Sequence, residues 1–392
     1  MIFFEEALKI VLEQPVFPAV ENISLTGSSG RILASDITSD IDMPPFDKSA
    51  VDGFACMMQD VQVRFPLQII ETIPAGIVPQ KNILPGLCSR IMTGAMVPPG
   101  ADCVVMVEDT VEHTVDKVAF IKEGTAKNIC FKGEDIRLGD IVLEKGIMIR
   151  PAQIAVLASV GVVNPSVYRL PKTGVISTGD ELVEPSVVPG KAQIRNSNAW
   201  QLEAQISMVP AVPVYYGIAA DDVRSLGNII EKAMQANDLV LLTGGVSMGD
   251  FDFVPAVMQE LGIEILFKSI AIRPGKPTVF GRRGNKYIFG LPGNPVSSFV
   301  LFEVLVKPFL LKMMGHNYSP KEFILPMGRR FSRRSSDRKS LIPIQIRNGS
   351  VFPVDYHGSA HINAFTVADG IMIMEIGATI INQGDVVNVR PI

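Results

Sequence analysis

The spacing of apolar positions changes along the chain and divides it into regions of different structure. Between residues 172 and 316, an apolar run of strand length repeatedly enters a glycine-rich turn and is followed by residues with helical spacing. This alternation predicts βαβ crossovers and a doubly wound, parallel α/β sheet. The predicted strands are Thr173–Ile176, Val212–Ile218, Asp238–Leu242 and Lys286–Leu291, and the predicted helices are the later part of Ala192–Met208, Val223–Ala236, about Phe253–Leu261 and Pro295 to about Met314.

The remaining regions follow other patterns. The first residues, MIFFEEALKIVLEQ, have the spacing of an amphipathic helix. Residues 42–132 contain short apolar runs, such as Val104–Val107 and Val118–Ile121, interrupted by proline and glycine clusters, and this pattern predicts β structure. Residues 317–392 lose the helical period, and their short strands with glycine turns predict a small β-barrel or sandwich.

Composition narrows the class of protein. The chain has 392 residues, 47% of them hydrophobic and 19% charged, which excludes disorder of the whole chain and allows roughly two or three domains. A net charge of −4 argues against general binding to nucleic acid or to a membrane surface. Four cysteines without a C-x-x-C motif favour free thiols. The first residues do not resemble a signal peptide and no apolar run is long enough to span a bilayer, so we expect a cytoplasmic protein.

Three glycine-rich loops follow predicted strands, at the sheet edge where open α/β sheets bind ligands. In Ser177–Glu181 small residues expose backbone N–H groups, although an ordinary turn with a helix-capping acid explains the loop equally well. In Thr243–Asp252 three glycines allow a phosphate to approach the backbone. Asp250 and Asp252 in this loop favour a bridging divalent cation over a bare phosphate, and an N-cap role for Asp252 is the structural alternative.

The third loop is Leu291–Ser298. Asn294 as N-cap and Pro295 at the first helical position are a sufficient structural explanation for it. An interpretation as a binding site adds the hydroxyl groups of Ser297 and Ser298 as donors to an oxyanion.

Two basic segments are further candidates for anion binding. Arg273 and Lys276 flank a rigid Pro-Gly turn, and their spacing suits a tetrahedral oxyanion, with a solvated turn as an equally good alternative. Residues 321–340 contain seven Lys and Arg against two acidic residues. A solvated basic face explains this segment best, an anion-steering rim is the second interpretation, and nucleic-acid binding is the third.

Seven motifs occur together and in a fixed order. They are GRILASDITSDIDMPPFDKSAVDGFA, RIMTGAMVPPGADCVVMVED, GEDIRLGD, STGDEL, TGGVSMGDFD, RPGKP and GLPGNPVSS. Each motif alone is weak, but in this combination they resemble the MoeA family, the molybdopterin molybdotransferases, which include the E domain of gephyrin. The resemblance extends from Gly30 to the last residue.

The resemblance implies four domains and a homodimer. The implied domains are an elongated linking domain (1–41 and 133–171), an inserted β domain (42–132), a molybdopterin-binding α/β domain (172–316) and a C-terminal β-barrel (317–392). In the implied homodimer, the active cleft joins the α/β domain of one subunit to the inserted domain of the other.

The resemblance also implies the reaction and its residues. Molybdate is inserted into adenylylated molybdopterin and AMP is released, with Mg²⁺ as cofactor and a molybdopterin adenylyltransferase as the upstream partner. The implied catalytic residues are Asp52, Thr93, Asp135, Glu181 and Lys276, and the implied metal ligands are Asp221 and Asp252. The implied cofactor-binding residues are Ser177, Thr178, Gly179, Gly244, Gly245, Ser247, Asp250, Arg273, Pro292, Gly293, Asn294, Ser297 and Ser359, of which Ser297 and Ser359, with Lys276, match the molybdate pocket.

Two departures from the family pattern concern that pocket. Arg273 stands where many relatives have lysine, and the position of an arginine that relatives often carry on a C-terminal strand corresponds to Pro343. Two expectations stay open: Arg338 or Arg347 compensates, or the molybdate pocket is weaker or tuned differently. Two other functions stay open: an adenylyltransferase that makes the adenylylated pterin, and a non-catalytic cofactor carrier or scaffold. Molybdate and tungstate are both open as the oxyanion.

Overall fold

The structure is a computed structural model that describes residues 1–61, 66–122, 124–246, 253–355, 358 and 360–392. Two compact units are present. Unit 1 consists of Met1–Ser35, Gly146–Arg150 and Asn164–Ile392, and unit 2 consists of Asp36–Lys145 and Pro151–Val163. The finer boundaries of the four expected domains stay a prediction.

The regular elements are numbered in chain order. The α-helices are α1 (Phe4–Glu13), α2 (Met58–Val61), α3 (Pro151–Ser159), α4 (Asn198–Ser207), α5 (Val223–Ala236), α6 (Val254–Glu260), α7 (Pro295–Leu301) and α8 (Lys307–Met313). The strands are β1 (Val20–Asn22), β2 (Ile37–Thr38), β3 (Lys48–Ser49), β4 (Gly53–Cys56), β5 (Leu67–Ile73), β6 (Leu87–Ile91), β7 (Cys103–Met106), β8 (Thr110–Thr114), β9 (Lys117–Phe120), β10 (Ile129–Cys130), β11 (Ile141–Leu143), β12 (Ser166–Tyr168), β13 (Lys172–Thr178), β14 (Leu182–Val183), β15 (Ile194–Arg195), β16 (Val212–Ala219), β17 (Leu239–Thr243), β18 (Glu264–Phe267), β19 (Ile272–Arg273), β20 (Val279–Arg283), β21 (Lys286–Leu291), β22 (Phe323–Pro326), β23 (Phe331–Ser332), β24 (Lys339–Arg347), β25 (Ser350–Pro353), β26 (Gly370–Met374), β27 (Ile380–Ile381) and β28 (Val386–Pro391).

The main sheet of unit 1 has the strand order β16-β13-β17-β21-β20-β18. The first four strands are parallel, as predicted, but β20 and β18 add antiparallel pairs at one edge. The expectation of a wholly parallel sheet is therefore corrected to a mixed one. The β20–β21 pair is antiparallel because the tight turn at Gly284, where φ is +59°, joins these two strands as a hairpin instead of a crossover.

Successive residues of the parallel strands face opposite sides of this sheet. Leu239 and Leu241 belong to one buried cluster, which includes residues of α4 and α7, whereas Val240 and Leu242 belong to a second cluster with residues of α5 and α6. The strands are apolar on both faces because both are covered by helices. This two-sided packing confirms the doubly wound α/β architecture.

The predicted long helix from Pro295 to about Met314 is interrupted. A π-helical segment, Phe302–Val306, separates α7 from α8. Pro308 follows this segment and has no N–H to donate to the carbonyl four residues earlier, so an uninterrupted α-helix is not available here.

The C-terminal strands form the expected barrel. The order β25-β24-β26-β28-β22 is closed by a bridge between Met327 and Val351. A further strand, β19, lies in the chain between two strands of the main sheet but pairs in parallel with β24, with Ile272 opposite Lys339. This pairing places the Arg273–Lys276 turn beside the basic segment that precedes β24.

Unit 2 contains a six-stranded sheet with the order β7-β4-β6-β5-β9-β8. Its predicted runs Val104–Val107 and Val118–Ile121 correspond to β7 and β9. Phe54, Val105 and Phe120 are buried in its core. The small β2–β11 ladder, together with α3, forms another part of this unit.

Candidate functional site

The three glycine-rich loops of unit 1 meet around one cavity of about 710 Å³. It lies at the carboxyl ends of β13, β17 and β21, because these strands are parallel neighbours and end at the same sheet edge. The predicted residues that line it are Thr178, Gly179, Glu181, Asp221, Gly244, Gly245, Pro292, Gly293 and Asn294. The sheet therefore brings together most of the predicted nucleotide-binding residues.

Glycine is required at one of these positions. Gly244 has a φ of +101°, and a Cβ atom there would lie 2.3 Å from the carbonyl oxygen of Thr178. Any larger residue would push the loop after β17 away from the end of β13. The absence of a side chain also leaves backbone groups of this loop accessible from the cavity.

The Asp221 carboxylate connects two loops at the mouth of this cavity. Its Oδ1 accepts a hydrogen bond from Thr178 Oγ1 at 2.5 Å, and its Oδ2 accepts one from the Asp180 backbone N–H at 3.3 Å. The backbone N–H of Asp221 in turn donates to Asp180 Oδ1 at 3.2 Å. Asp222 is instead the N-cap of α5, where its side chain accepts from the Ser225 N–H. The two consecutive aspartates thus have different environments.

Two buried asparagines line the same cavity and were missed from the sequence. Asn198 Nδ2 donates to Thr243 Oγ1 at 2.9 Å and to the Gly293 carbonyl at 2.8 Å, which links the second and third loops. Asn196 Oδ1 accepts from Ser177 Oγ at 3.0 Å. Because Ser177 is fully buried, it supports the wall through Asn196 and does not line the cavity itself. The only sequence signal was the polar text IRNSN at the start of α4, which also fits a loop.

A second cavity, of about 730 Å³, contains the predicted oxyanion residues. Arg273, Lys276 and Ser297 line it, and Arg333, Arg334 and Arg338 line it as well. None of its lining residues in the described part of the chain is Asp or Glu. Five cationic residues therefore line one cavity. Arg338 is paired with Asp337 at 3.3 Å, and the positive charge that remains favours an anion inside the cavity.

The basic segment is held in place by Arg333. Its Nη1 donates to the Arg338 carbonyl at 2.8 Å and to Ser340 Oγ, and its Nε donates to the Ala378 carbonyl at 2.7 Å. Burial and the neighbouring Arg273 lower the pKa of the Arg333 guanidinium, which still carries its proton because arginine does not deprotonate in proteins. Arg333, Arg334 and Arg338 of this segment thus line the cavity, whereas Lys321, Arg329 and Arg330 are exposed and do not line it, as a solvated basic face requires.

Arg338 and not Arg347 lies where the anion would bind. Arg347 packs over the Phe352 ring at 5.8 Å from its centroid and is not among the described residues that line the cavity. Pro343 is a strand residue opposite Ile371 and does not line it either. Of the two expected replacements for the missing arginine, the geometry places only Arg338 at the cavity.

The two cavities adjoin each other. Pro277, Pro292 and Asn294 contribute to the lining of both. A ligand in the first cavity and an anion in the second would therefore be separated by little more than these three residues.

Asp52 and Thr93 form a hydrogen-bonded pair in unit 2. Asp52 Oδ1 accepts from the backbone N–H of Thr93 at 2.6 Å and from its hydroxyl group at 2.9 Å. These two bonds hold the pKa of the Asp52 carboxyl below its usual value of 3.8. Asp135 is exposed in a turn of the same unit, and its N–H donates to the Met43 carbonyl at 3.0 Å.

The Thr93→Val variant is expected to raise the pKa of Asp52 towards 3.8 without reaching it, because the stronger, backbone hydrogen bond remains. A carboxyl whose pKa is lowered by folding stabilises the folded chain at any pH above its pKa in the unfolded chain. This stabilisation is lost as the pH falls through the pKa of the folded chain. Because that pKa is higher in the variant, the variant should lose the stabilisation at a higher pH. A ¹³C NMR titration of the Asp52 carboxyl measures the shift. Thr93→Ser, which keeps the hydroxyl group, is the control, and an identical titration of Thr93→Val and wild type would contradict the assignment.

Four predicted site residues lie outside the described residues, namely Ser247, Asp250, Asp252 and Ser359. Within the described ranges, no group of three or more His, Cys, Asp or Glu side chains is arranged to hold a metal ion. Glu181 and Asp221 nevertheless line one cavity, and one or two carboxylates are what Mg²⁺ commonly takes from a protein when substrate phosphates and water supply its other ligands.

None of the described helices is long and apolar enough to cross a membrane. All four cysteines are free.

Comparison with known proteins gives concordant results. Residues 2–161 match the MoeA N-terminal region (domain I and II), and residues 174–312 match a probable molybdopterin binding domain. A Staphylococcus epidermidis protein named molybdopterin molybdenumtransferase is 41% identical over 321 residues, which cover 80% of this chain and 76% of that protein. A Staphylococcus aureus protein of the same name is 40% identical over 318 residues, covering 79% and 75%.

The solved structures extend this agreement to the whole chain. A molybdopterin biosynthesis MoeA protein from Pyrococcus horikoshii matches with a TM-score of 0.83 and 32% identity, covering 100% of this chain and 99% of that one. A second structure from that species has a TM-score of 0.87 and 29% identity, covering both chains completely. This chain is 41% identical to a relative over four-fifths of the chain's own length, and it has the MoeA fold throughout. The chain therefore belongs to the MoeA family of molybdenum cofactor biosynthesis.

Proposed function

We propose that this chain is a molybdopterin molybdenumtransferase that inserts molybdate into adenylylated molybdopterin and releases AMP. The observation that carries the proposal is the pair of adjoining cavities, one walled by glycine-rich loops and the other by five cations. Such a reaction needs a phosphate-linked pterin nucleotide and an oxyanion side by side. Binding them in adjoining cavities increases their effective concentration.

The first cavity is proposed to bind the adenylylated pterin. Backbone groups of the Gly179, Gly244 and Gly293 loops would hold its phosphates, while Asn196 and Asn198 keep these loops at a fixed distance. Glu181 and Asp221, with Asp252 from outside the described residues, would hold Mg²⁺. When bound, Mg²⁺ would supply positive charge to the phosphates and so stabilise the charge that develops on the leaving AMP.

The second cavity is proposed to bind molybdate. Arg273, Lys276 and Arg338 would neutralise the dianion, and the hydroxyl groups of Ser297 and Ser340 can donate hydrogen bonds to its oxygens. Ser359 is proposed to complete this set. Tungstate carries the same charge and shape, and both oxyanions belong in the assay.

We further propose a cytoplasmic homodimer in which unit 2 of one subunit faces the cleft of the other. The exposed Asp52–Thr93 pair and Asp135 would then act on a substrate bound by the partner, together with Glu181 and Lys276 of that partner. The two hydrogen bonds from Thr93 lower the pKa of Asp52 and so make it a weak base, which suits it to orient water or a bound ligand and not to accept a proton. A molybdopterin adenylyltransferase would supply the substrate.

The test is release of AMP from adenylylated molybdopterin, measured by chromatography with and without molybdate and Mg²⁺. Release should require both, and Asp221→Asn should abolish it. Asp222→Asn is the matched control, because it removes the same charge from the next residue and asparagine remains a good N-cap for α5. AMP release that is independent of molybdate, or formation of adenylylated pterin from ATP and molybdopterin, would contradict the proposal. Tight pterin binding without any turnover would instead indicate a carrier.

A further inference from the structure

The second cavity presents hydrogen-bond donors to a molecule bound inside it. Arg273, Lys276 and Arg334 line it, and their cationic groups can donate hydrogen bonds but cannot accept them. Ser340 also lines it, and because its Oγ accepts a hydrogen bond from Arg333, its own proton can be donated to a ligand. A ligand of this cavity must therefore supply acceptors.

Several backbone carbonyl groups of the lining residues already accept hydrogen bonds within the protein. The Gly275 carbonyl accepts from Thr278 Oγ1 at 2.6 Å, and the Lys276 carbonyl accepts from the Thr278 N–H at 3.0 Å. The Arg338 carbonyl accepts from Arg333 Nη1 at 2.8 Å. Two further lining carbonyls accept from internal donors, namely that of Pro292 from Thr243 and that of Asn294 from Ser297. These oxygens have little capacity left to accept a proton from a ligand.

Two carboxylates beside the lining residues are paired with other groups. Asp337 pairs with Arg338 at 3.3 Å, and Glu375 pairs with Lys339 at 3.1 Å. Neither carboxylate lines the second cavity. The described lining residues offer only neutral acceptors, such as the exposed amide of Asn294, and these form weaker hydrogen bonds than carboxylates do.

Size and charge do not distinguish the common tetrahedral oxyanions in this cavity. Its volume is about 730 Å³, which is ample for a group of five heavy atoms. Molybdate, tungstate, sulfate and hydrogen phosphate are all dianions, so the cations attract each of them. Hydrogen phosphate differs from the other three because it carries a proton that needs an acceptor.

We propose that the second cavity selects oxyanions that carry no proton, so that it binds sulfate in competition with molybdate and rejects hydrogen phosphate. The proposal rests on the proposed function and defines the substrate class of its oxyanion site. An unprotonated dianion can accept a hydrogen bond at every oxygen. Hydrogen phosphate would direct its O–H group at a donor or leave that group unpaired, and either arrangement lowers its affinity.

The test is isothermal titration calorimetry of the full-length chain with four anions, at a pH at which inorganic phosphate is the hydrogen phosphate dianion. The anions are molybdate, sulfate, hydrogen phosphate and monofluorophosphate. Monofluorophosphate is the matched probe, because fluorine replaces the hydroxyl group and leaves a dianion of similar size without a proton. Sulfate and monofluorophosphate should each bind at least about tenfold more tightly than hydrogen phosphate.

A variant that adds a charged acceptor should weaken this selectivity. Ser332 is exposed and lines the cavity, so Ser332→Asp introduces a carboxylate without burying it. The carboxylate repels every dianion but can accept the proton of hydrogen phosphate, so the preference for sulfate over hydrogen phosphate should fall by at least about fivefold. Ser332→Asn has the same size without the charge and should keep the wild-type preference.

Three results would overturn the inference. They are equal affinity for sulfate and hydrogen phosphate, equal affinity for hydrogen phosphate and monofluorophosphate, and no binding of any of the four anions. An unchanged preference in Ser332→Asp would also count against it.

The assay of AMP release separates this inference from the proposed function. A chain with the expected selectivity that releases no AMP would refute the proposed function and leave the inference intact. Molybdate-dependent AMP release that sulfate and phosphate inhibit equally would refute the inference alone.

Discussion

An equimolar mixture of Asp52→Ala and Asp221→Ala chains is expected to recover about one quarter of wild-type AMP release, although each variant alone is inactive. Asp52 lies in unit 2 and Asp221 lines the cavity of unit 1. If each cleft combines unit 1 of one subunit with unit 2 of the other, each mixed dimer contains one intact cleft. Random exchange makes about half of the dimers mixed, and AMP release after co-refolding or co-expression measures the recovery.

A mixture of Asp52→Ala and Asp135→Ala chains is the matched control. Both substitutions lie in unit 2, so both clefts of every mixed dimer keep one defect and activity should not return. Absence of recovery in the Asp52–Asp221 mixture, with mixed dimers demonstrated by two affinity tags, would rule out a shared cleft. Equal recovery in the two mixtures would do the same.

Lys276→Ala is expected to raise the molybdate concentration for half-maximal AMP release by about 10- to 100-fold, the loss typical of a charge-assisted hydrogen bond. Lys276→Gln should behave nearly as badly, because it retains length and hydrogen bonding but not charge. Affinity for the adenylylated pterin should change far less, since Lys276 lines the second cavity and not the first. A molybdate titration at saturating pterin measures the effect.

Lys268→Ala provides the control, since Lys268 is an exposed lysine that does not line either cavity. The molybdate concentration for half-maximal AMP release by Lys268→Ala should equal that of wild type. The Lys276 effect should also diminish at high ionic strength, because salt screens the attraction between the cavity and the dianion. An unchanged half-saturation in both Lys276 variants would mean that the anion binds elsewhere.

The elements that could be predicted are those with a strong local pattern. Lys286–Leu291 and Val223–Ala236 were assigned with the bounds that β21 and α5 have, because an apolar run entering a glycine turn and a 3.6-residue period are properties of short segments. The meeting of the three glycine-rich loops also followed from the sequence. Once the strands are parallel neighbours, their carboxyl ends must lie at one edge.

Strands β18 and β20 escaped prediction for the opposite reason. Each is short, and its stability comes from pairing with a neighbour and not from its own pattern. The π-helical interruption before Pro308 was missed because the apolar spacing continues through it. Asn196 and Asn198 were missed because their role depends on Ser177, Thr243 and Gly293, which are distant in sequence.

The anion cavity shows most clearly where local sequence information ends. The sequence sufficed to identify Arg273 and Lys276 as a cationic pair on a rigid turn, and the seven motifs sufficed to indicate the family. Whether residues 321–340 were a solvated face or the wall of a site was undecidable from charge alone, because a basic run has the same composition in both cases. The pairing of β19 with β24 places Arg273 opposite Ser340, a contact across 66 intervening residues. It brings Arg333, Arg334 and Arg338 to the cavity, whereas Lys321, Arg329 and Arg330 remain exposed away from it. Burial and hydrogen bonding by Arg333 then hold Arg338 and Ser340 at the cavity, and such long-range contacts form only when the whole chain has folded.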